Sequence, residues 1–166
     1  MWQPNRFIVA AALLAACLRA EIKVGDVFPE MGGAGVVPLA GGAMPKTAGA
    51  VVLVDFWASW CAPCKASFPA MAKLHADFSR RGLVIAAVSV DEKAAPAEAF
   101  ARKLAAPFAT LLDRDKKLVS AVAVPAMPTS YLIGTDGRVK AIYQGFHGDE
   151  TDRVVRRDVE AALAQR

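Results

Sequence analysis

The chain has 166 residues, 55% of them hydrophobic and 22% charged, the size and make-up of one ordered domain with enough apolar material to bury a core without cross-links. The formal net charge of +4 comes from 20 basic and 16 acidic residues. The longest basic clusters are the pairs Arg80-Arg81, Lys116-Lys117 and Arg156-Arg157, which argues against a nucleic-acid surface, since that needs a denser basic stripe.

Residues 1–20 read as an export signal. Met1 to Arg6 is a short n-region carrying Arg6, and Phe7 to Ala16 is an unbroken apolar run of secretory length, too short for a membrane span. Two endings fit. Leu14-Ala15-Ala16-Cys17 resembles the lipobox of bacterial lipoproteins, in which the cysteine is lipidated and becomes the new N-terminus. Alternatively, Leu18-Arg19-Ala20 offers a small-residue site with the cut after Ala20. Either way the mature domain, residues 22–166, keeps two free thiols. The expected location is periplasmic or otherwise extracytoplasmic, with a membrane anchor if Cys17 is lipidated.

Residues 22–50 are rich in Gly and Pro and poor in charge, which predicts irregular chain with one weak hairpin. Val51 to Trp57 is a continuous apolar run interrupted only by Asp55, the pattern of a central strand covered on both faces. Residues 63–80 have the spacing of a helix, with Phe68, Met71, Leu74, His75 and Phe78 on one side. Pro69 inside it predicts a kink. Leu83 to Val90 reads as a second buried strand, 94–105 as a helix, Ala109 to Leu112 as a short strand and 115–121 as a short helix. Thr129 to Gly134 and Arg138 to Gln144 are strands joined at Asp136-Gly137, a hairpin signal. Residues 150–164 form an amphipathic helix with Val155, Val159 and Leu163 on one face. The order β-α-β-α-β-α-β-β-α predicts an α/β layered domain with a central mixed sheet flanked by helices.

The chemistry is concentrated in Trp60-Cys61-Ala62-Pro63-Cys64-Lys65, which follows a buried strand and opens a helix. Disulfide exchange needs a thiolate that attacks and a second thiol that resolves the mixed disulfide. Cys61 falls at the helix N-terminus, where unpaired N–H groups and the helix dipole favour negative charge and lower a thiol pKa. Cys64, one turn further in, is expected to be buried. Cys61 is therefore the attacking and Cys64 the resolving residue. Pro63 suits the first turn, where no N–H is needed. A zinc site would need four ligands, and His75 and His147 have no ligand-like spacing. A purely structural disulfide closing so small a loop would stabilise little. The thiols carry the reaction with no metal or cofactor.

Val51 to Lys65, VVLVDFWASWCAPCK, resembles the active-site strand and helix of thioredoxins. Val124-Pro125-Ala126-Met127-Pro128-Thr129-Ser130 resembles the segment that holds that family's cis-proline, at Pro128. PTSYLIGTDGRVKAIYQG and an additional strand–helix unit at 83–113 resemble the exported TlpA/ResA-like branch of the thioredoxin superfamily. The resemblance implies a thioredoxin-like fold with a Gly-rich N-terminal extension, and a protein-disulfide reductase acting outside the cytoplasm, often in cytochrome c maturation. It also implies protein thiols and disulfides as substrates, a membrane electron donor of the DsbD/CcdA type, and a substrate surface formed by Trp60, Ala62, Pro63, Met127 and Pro128.

Two positions depart from the branch. Many members carry glutamate three residues after the second cysteine, where this chain has Ser67. Many carry asparagine where it has Asp55, as thioredoxin itself does. A carboxylate in an apolar strand is costly unless paired or protonated, and burial raises its pKa. The alternatives are a side chain that reaches water at the strand's end, or one beneath the cysteine pair that takes the Cys64 proton; the thioredoxin resemblance supports the second. Strongly oxidising relatives place histidine directly before the second cysteine. Pro63 adds no charge there, which favours a reductase over a disulfide-forming oxidase. A peroxidase or a non-catalytic peptide-binding module on the same fold is a further alternative, disfavoured by the intact cysteine pair.

Overall fold

A computed structural model describes residues 21–165. The export segment and Cys17 lie outside the described residues. In chain order the elements are β1 (Val37–Pro38), β2 (Val51–Trp57), α1 (Ala62–Phe78) followed by a 3₁₀ turn at Ser79–Arg81, β3 (Leu83–Ser89), α2 (Ala94–Lys103), β4 (Ala109–Leu112), α3 (Lys117–Ala121), β5 (Thr129–Ile133), β6 (Val139–Gln144) and α4 (Asp149–Ala164). One six-stranded sheet runs β1-β4-β3-β2-β5-β6. β2, β3 and β4 are parallel, while β1, β5 and β6 are antiparallel to their neighbours.

Every residue of β2 is buried, and the strand's two-residue alternation divides it between two cores. Val51, Leu53 and Trp57 join residues of α1, α2 and α4, among them Phe68, Leu74, Ala97 and Val159. Val52, Val54 and Phe56 join a second core on the other face, with Leu118 of α3, Tyr131, Val139 and the N-terminal residues Ile22, Phe28, Met31 and Val36. Asp55 falls on the odd-numbered face, the one α1 and α4 cover. Helix α1 is continuous through Pro69, where the sequence predicts a kink.

The weak hairpin expected within 22–50 does not form. The Gly/Pro-rich segment contributes β1, which pairs with β4 through Val37↔Leu112 and Pro38↔Leu111, and an isolated bridge from Val27 to Arg138. Its backbone is largely irregular, yet its apolar side chains close one face of the sheet. The hairpin at Asp136-Gly137 is present: Gly137 takes φ +74°, the left-handed conformation that glycine adopts without steric cost. Among the described residues no helix is long and apolar enough to cross a membrane.

Candidate active site

Strand β2 ends at Trp57 and the chain turns through Ala58, Ser59 and Trp60 into α1. Cys61 is the N-cap residue, extended at φ −85°, ψ 107°. Its Sγ accepts the Cys64 N–H at 3.2 Å, so the sulfur serves one of the N–H groups that a helix start leaves without a partner. Cys61 and Cys64 form a disulfide with Cα atoms 5.3 Å apart. Cys61 is 5% exposed and Cys64 wholly buried. Ala62 and Pro63 are exposed in the first turn, and Trp60 projects into solvent at 72% exposure.

A buried polar cluster holds the turn that carries these residues. Asp91, just past the end of β3, accepts the Ser59 N–H at 2.9 Å and the Ser59 hydroxyl at 2.7 Å. The Ser89 hydroxyl donates to the same carboxylate at 2.7 Å. Lys116 donates its ammonium to the Asp91 carbonyl at 2.7 Å and to the Asp113 carbonyl at 3.2 Å. Sequence reasoning missed Asp91. Its one signal was an acidic residue directly after a buried parallel strand, the end of such a sheet where binding sites gather.

Asp55 is 1% exposed, which removes the reading in which it reaches water. Ser130, its partner in register on β5, donates a hydroxyl hydrogen bond to Oδ1 at 2.5 Å. Oδ2 is buried without a partner. Burial pushes the carboxyl up to about 7, an effect the Ser130 hydrogen bond only partly offsets. Asp55 lines a cavity of about 30 Å³ together with Ser67, Pro128, Ser130 and Asp152. The rest of its wall is largely apolar, with Leu53, Met71, Leu74, Phe146 and Val155.

Ser67, one turn beyond Cys64, is buried and donates its hydroxyl to the Cys64 carbonyl at 3.0 Å. The Met127–Pro128 peptide bond is cis. Pro128 shares the Asp55 cavity, and Met127 packs against the core that contains both cysteines. The structure thus gathers Trp60, Cys61 and Ala62 around one groove and Asp55, Ser67 and Pro128 around a separate cavity that neither cysteine lines. His75 faces the Phe108 ring at 6.3 Å and His147 is exposed. Among the described residues no group of three or more His, Cys, Asp or Glu could hold a metal ion.

A buried parallel strand that delivers a C-x-x-C pair to a helix start, beside a strand led by a cis X-Pro bond, defines a protein of thioredoxin-like fold. The chain belongs to the AhpC/TSA family, whose model matches residues 43–142. It is 35% identical over 94 residues to the thiol-disulfide oxidoreductase ResA of Geobacillus thermodenitrificans, covering 57% of this chain and 54% of that one. The same identity over 94 residues relates it to ResA of Bacillus subtilis, covering 57% and 52%. The chain therefore spans about half the length of these curated relatives. A crystal structure from Chlorobium tepidum, provisionally assigned as the thiol:disulfide interchange protein DsbE, superposes with a TM-score of 0.79 at 32% identity, covering 86% of this chain and 99% of that one.

The raised Asp55 carboxyl sets a pH dependence. Folded, it titrates near 7; its ordinary value is 3.8. Between those limits the folded state holds a proton that the unfolded state has lost. The stabilisation is therefore fully present below pH 3.8 and is lost as pH rises through 7. At about 1.4 kcal/mol per pH unit, the loss amounts to about 4 kcal/mol at most. Asp55→Asn is expected to match the parent protein near pH 4 and to exceed it in stability at pH 8, measured by urea unfolding of the disulfide form. A stability gap that stays constant between pH 4 and pH 8 would show that Asp55 does not titrate in this range.

Proposed function

We propose that the chain is an exported thiol–disulfide oxidoreductase that reduces disulfides of extracytoplasmic proteins. The observation that carries this reading is the placement of Cys61, whose sulfur caps α1 and keeps a small exposure of 5%, while Cys64 is wholly buried. The α1 N-terminus favours the Cys61 thiolate over the thiol. That thiolate attacks one sulfur of a substrate disulfide. The substrate S–S bond breaks, its other sulfur leaves as a thiolate and takes up a proton, and a Cys61–substrate mixed disulfide remains. Cys64 then passes its proton to Asp55 and attacks Cys61 Sγ. The second substrate thiolate leaves, and two electrons have moved from the cysteine pair to the substrate. Asp55, titrating near 7, is suited to accept that proton near neutral pH.

The pair must then be reduced again, and a membrane electron donor of the DsbD/CcdA type fits an enzyme outside the cytoplasm. Trp60, Ala62, Pro63, Met127 and Pro128 form the surface on which the substrate chain rests. Cytochrome c maturation is the pathway that the likeness to ResA and the TlpA/ResA-like motifs suggests. Residues 1–20 direct export, and a lipidated Cys17 would hold the domain at a membrane.

Replacing Cys64 by alanine removes the resolving thiol. The variant is expected to accumulate mixed disulfides with partner proteins, which dissolve on adding dithiothreitol and are absent from Cys61→Ala; trapping by Cys61→Ala alone would reverse the two roles. With both cysteines present, Asp55→Asn should slow resolution of a preformed mixed disulfide while leaving the first attack unchanged, as read by stopped-flow fluorescence. For direction, equilibration with glutathione is expected to place the reduction potential nearer about −270 mV than about −120 mV, and a value above about −170 mV would make the protein an oxidase. For anchoring, the intact mass of the mature chain should show a lipid-modified N-terminus at Cys17. An unmodified N-terminus at Glu21 would rule the anchor out.

A further inference from the structure

The groove beside Cys61 has a second wall that the cysteine motif does not supply. Its volume is about 210 Å³; the turn before α1 contributes Trp60 and Cys61, α1 contributes Lys65, and the end of α2 contributes Phe100, Lys103 and Leu104. Phe100 is fixed from behind, stacked on Trp57 at 4.8 Å and set edge-on to Phe68 at 5.1 Å. It forms a rigid apolar patch with Leu104. Lys65 and Lys103 approach from the two helices, both exposed, and neither side-chain ammonium makes an ion pair or hydrogen bond with any described residue.

No carboxylate lines the groove. Asp91 beneath it is occupied by Ser59 and Ser89, and Glu98 of α2 accepts the Ala40 N–H. The dipole of α1, whose N-terminus faces the groove at Cys61, adds positive potential on the same side. The groove therefore pairs an apolar patch with two uncompensated cations.

We propose that this groove is a specificity subsite that receives the substrate segment next to the attacked disulfide and prefers segments bearing acidic side chains beside the cysteine. The inference rests on the oxidoreductase reading and deepens it. The apolar part of the segment covers Phe100 and Leu104, and its carboxylates meet Lys65 and Lys103. A carboxylate brought there would otherwise be repelled by the Cys61 thiolate, and the lysines cancel that repulsion. Exposed ion pairs are individually weak and screened by salt, so the preference shows as a graded rate difference.

The test uses three disulfide-bonded peptides that differ only beside the cysteine, with Asp-Asp, Ser-Ser or Lys-Lys. The second-order rate of reduction by the dithiol form of the protein is measured at low and high salt. The expected order at low salt is Asp-Asp above Ser-Ser above Lys-Lys. Each lysine accounts for about a two- to fivefold difference, and the spread narrows at high salt. Lys65→Glu with Lys103→Glu should invert the order, each rate being taken relative to that of the Ser-Ser peptide with the same variant. Equal rates for the three peptides, or an order unchanged in the double variant, would overturn the subsite while the oxidoreductase reading stands. Failure to exchange with the Ser-Ser peptide at all would remove both.

Discussion

The complete burial of β2 is the constraint on which the rest of the molecule depends. A strand with no exposed residue must have both faces covered and its backbone paired on both sides. β3 and β5 supply the pairing. Helices α1, α2 and α4 cover one face, while α3 and the N-terminal segment cover the other. Because the strand is held so completely, its end is a fixed point, and the turn into α1 presents the Cys61 sulfur in one orientation. The Cys61–Cys64 pair is thus anchored by a strand with no exposed residue.

Two buried carboxylates flank that fixed point, and their surroundings differ. Asp91 receives hydrogen bonds from the Ser59 amide and from two hydroxyls. It acts as a rigid clamp on the turn before the cysteines. Asp55 receives one hydrogen bond and keeps one oxygen without a partner. A saturated group of this kind secures geometry, whereas a buried carboxylate short of partners holds its proton more tightly. The fold places one just beyond the end of β3 and the other inside β2, the neighbouring strand.

Much of this was legible in the sequence because the signals were local. The apolar run at 51–57, the three-and-four spacing from Phe68 to Phe78 and the Asp136-Gly137 turn each fix an element from its own residues, and the observed bounds lie within about two residues of those expected. Asp55 stood out because a carboxylate has no local reason to sit in such a run. What was not legible depends on partners distant in the chain. Ile22, Phe28, Met31 and Val36 follow no helical or strand period, so nothing marked them as the cover of a sheet face. The two residues of β1 pair with a strand more than seventy positions away. Asp91 acquires its role only through Ser59, 32 residues earlier, and the groove wall formed by Phe100 and Lys103 exists only because α2 folds back beside the cysteine turn.

The burial of Cys64 also bears on chemical damage. If a peroxide reaches the site, only the Cys61 sulfur is accessible, and its oxidation gives a sulfenic acid. Left alone, that group can climb to the sulfinic and sulfonic acids, which are essentially irreversible. Here a second thiol waits one helical turn away, in a geometry that already closes a disulfide. Condensation of the sulfenic acid with Cys64 expels water and returns the pair to its ordinary oxidised form. The same shielding that buries Cys64 makes it a reserve against overoxidation, so an oxidative accident ends in the disulfide, which a thiol reductant reverses.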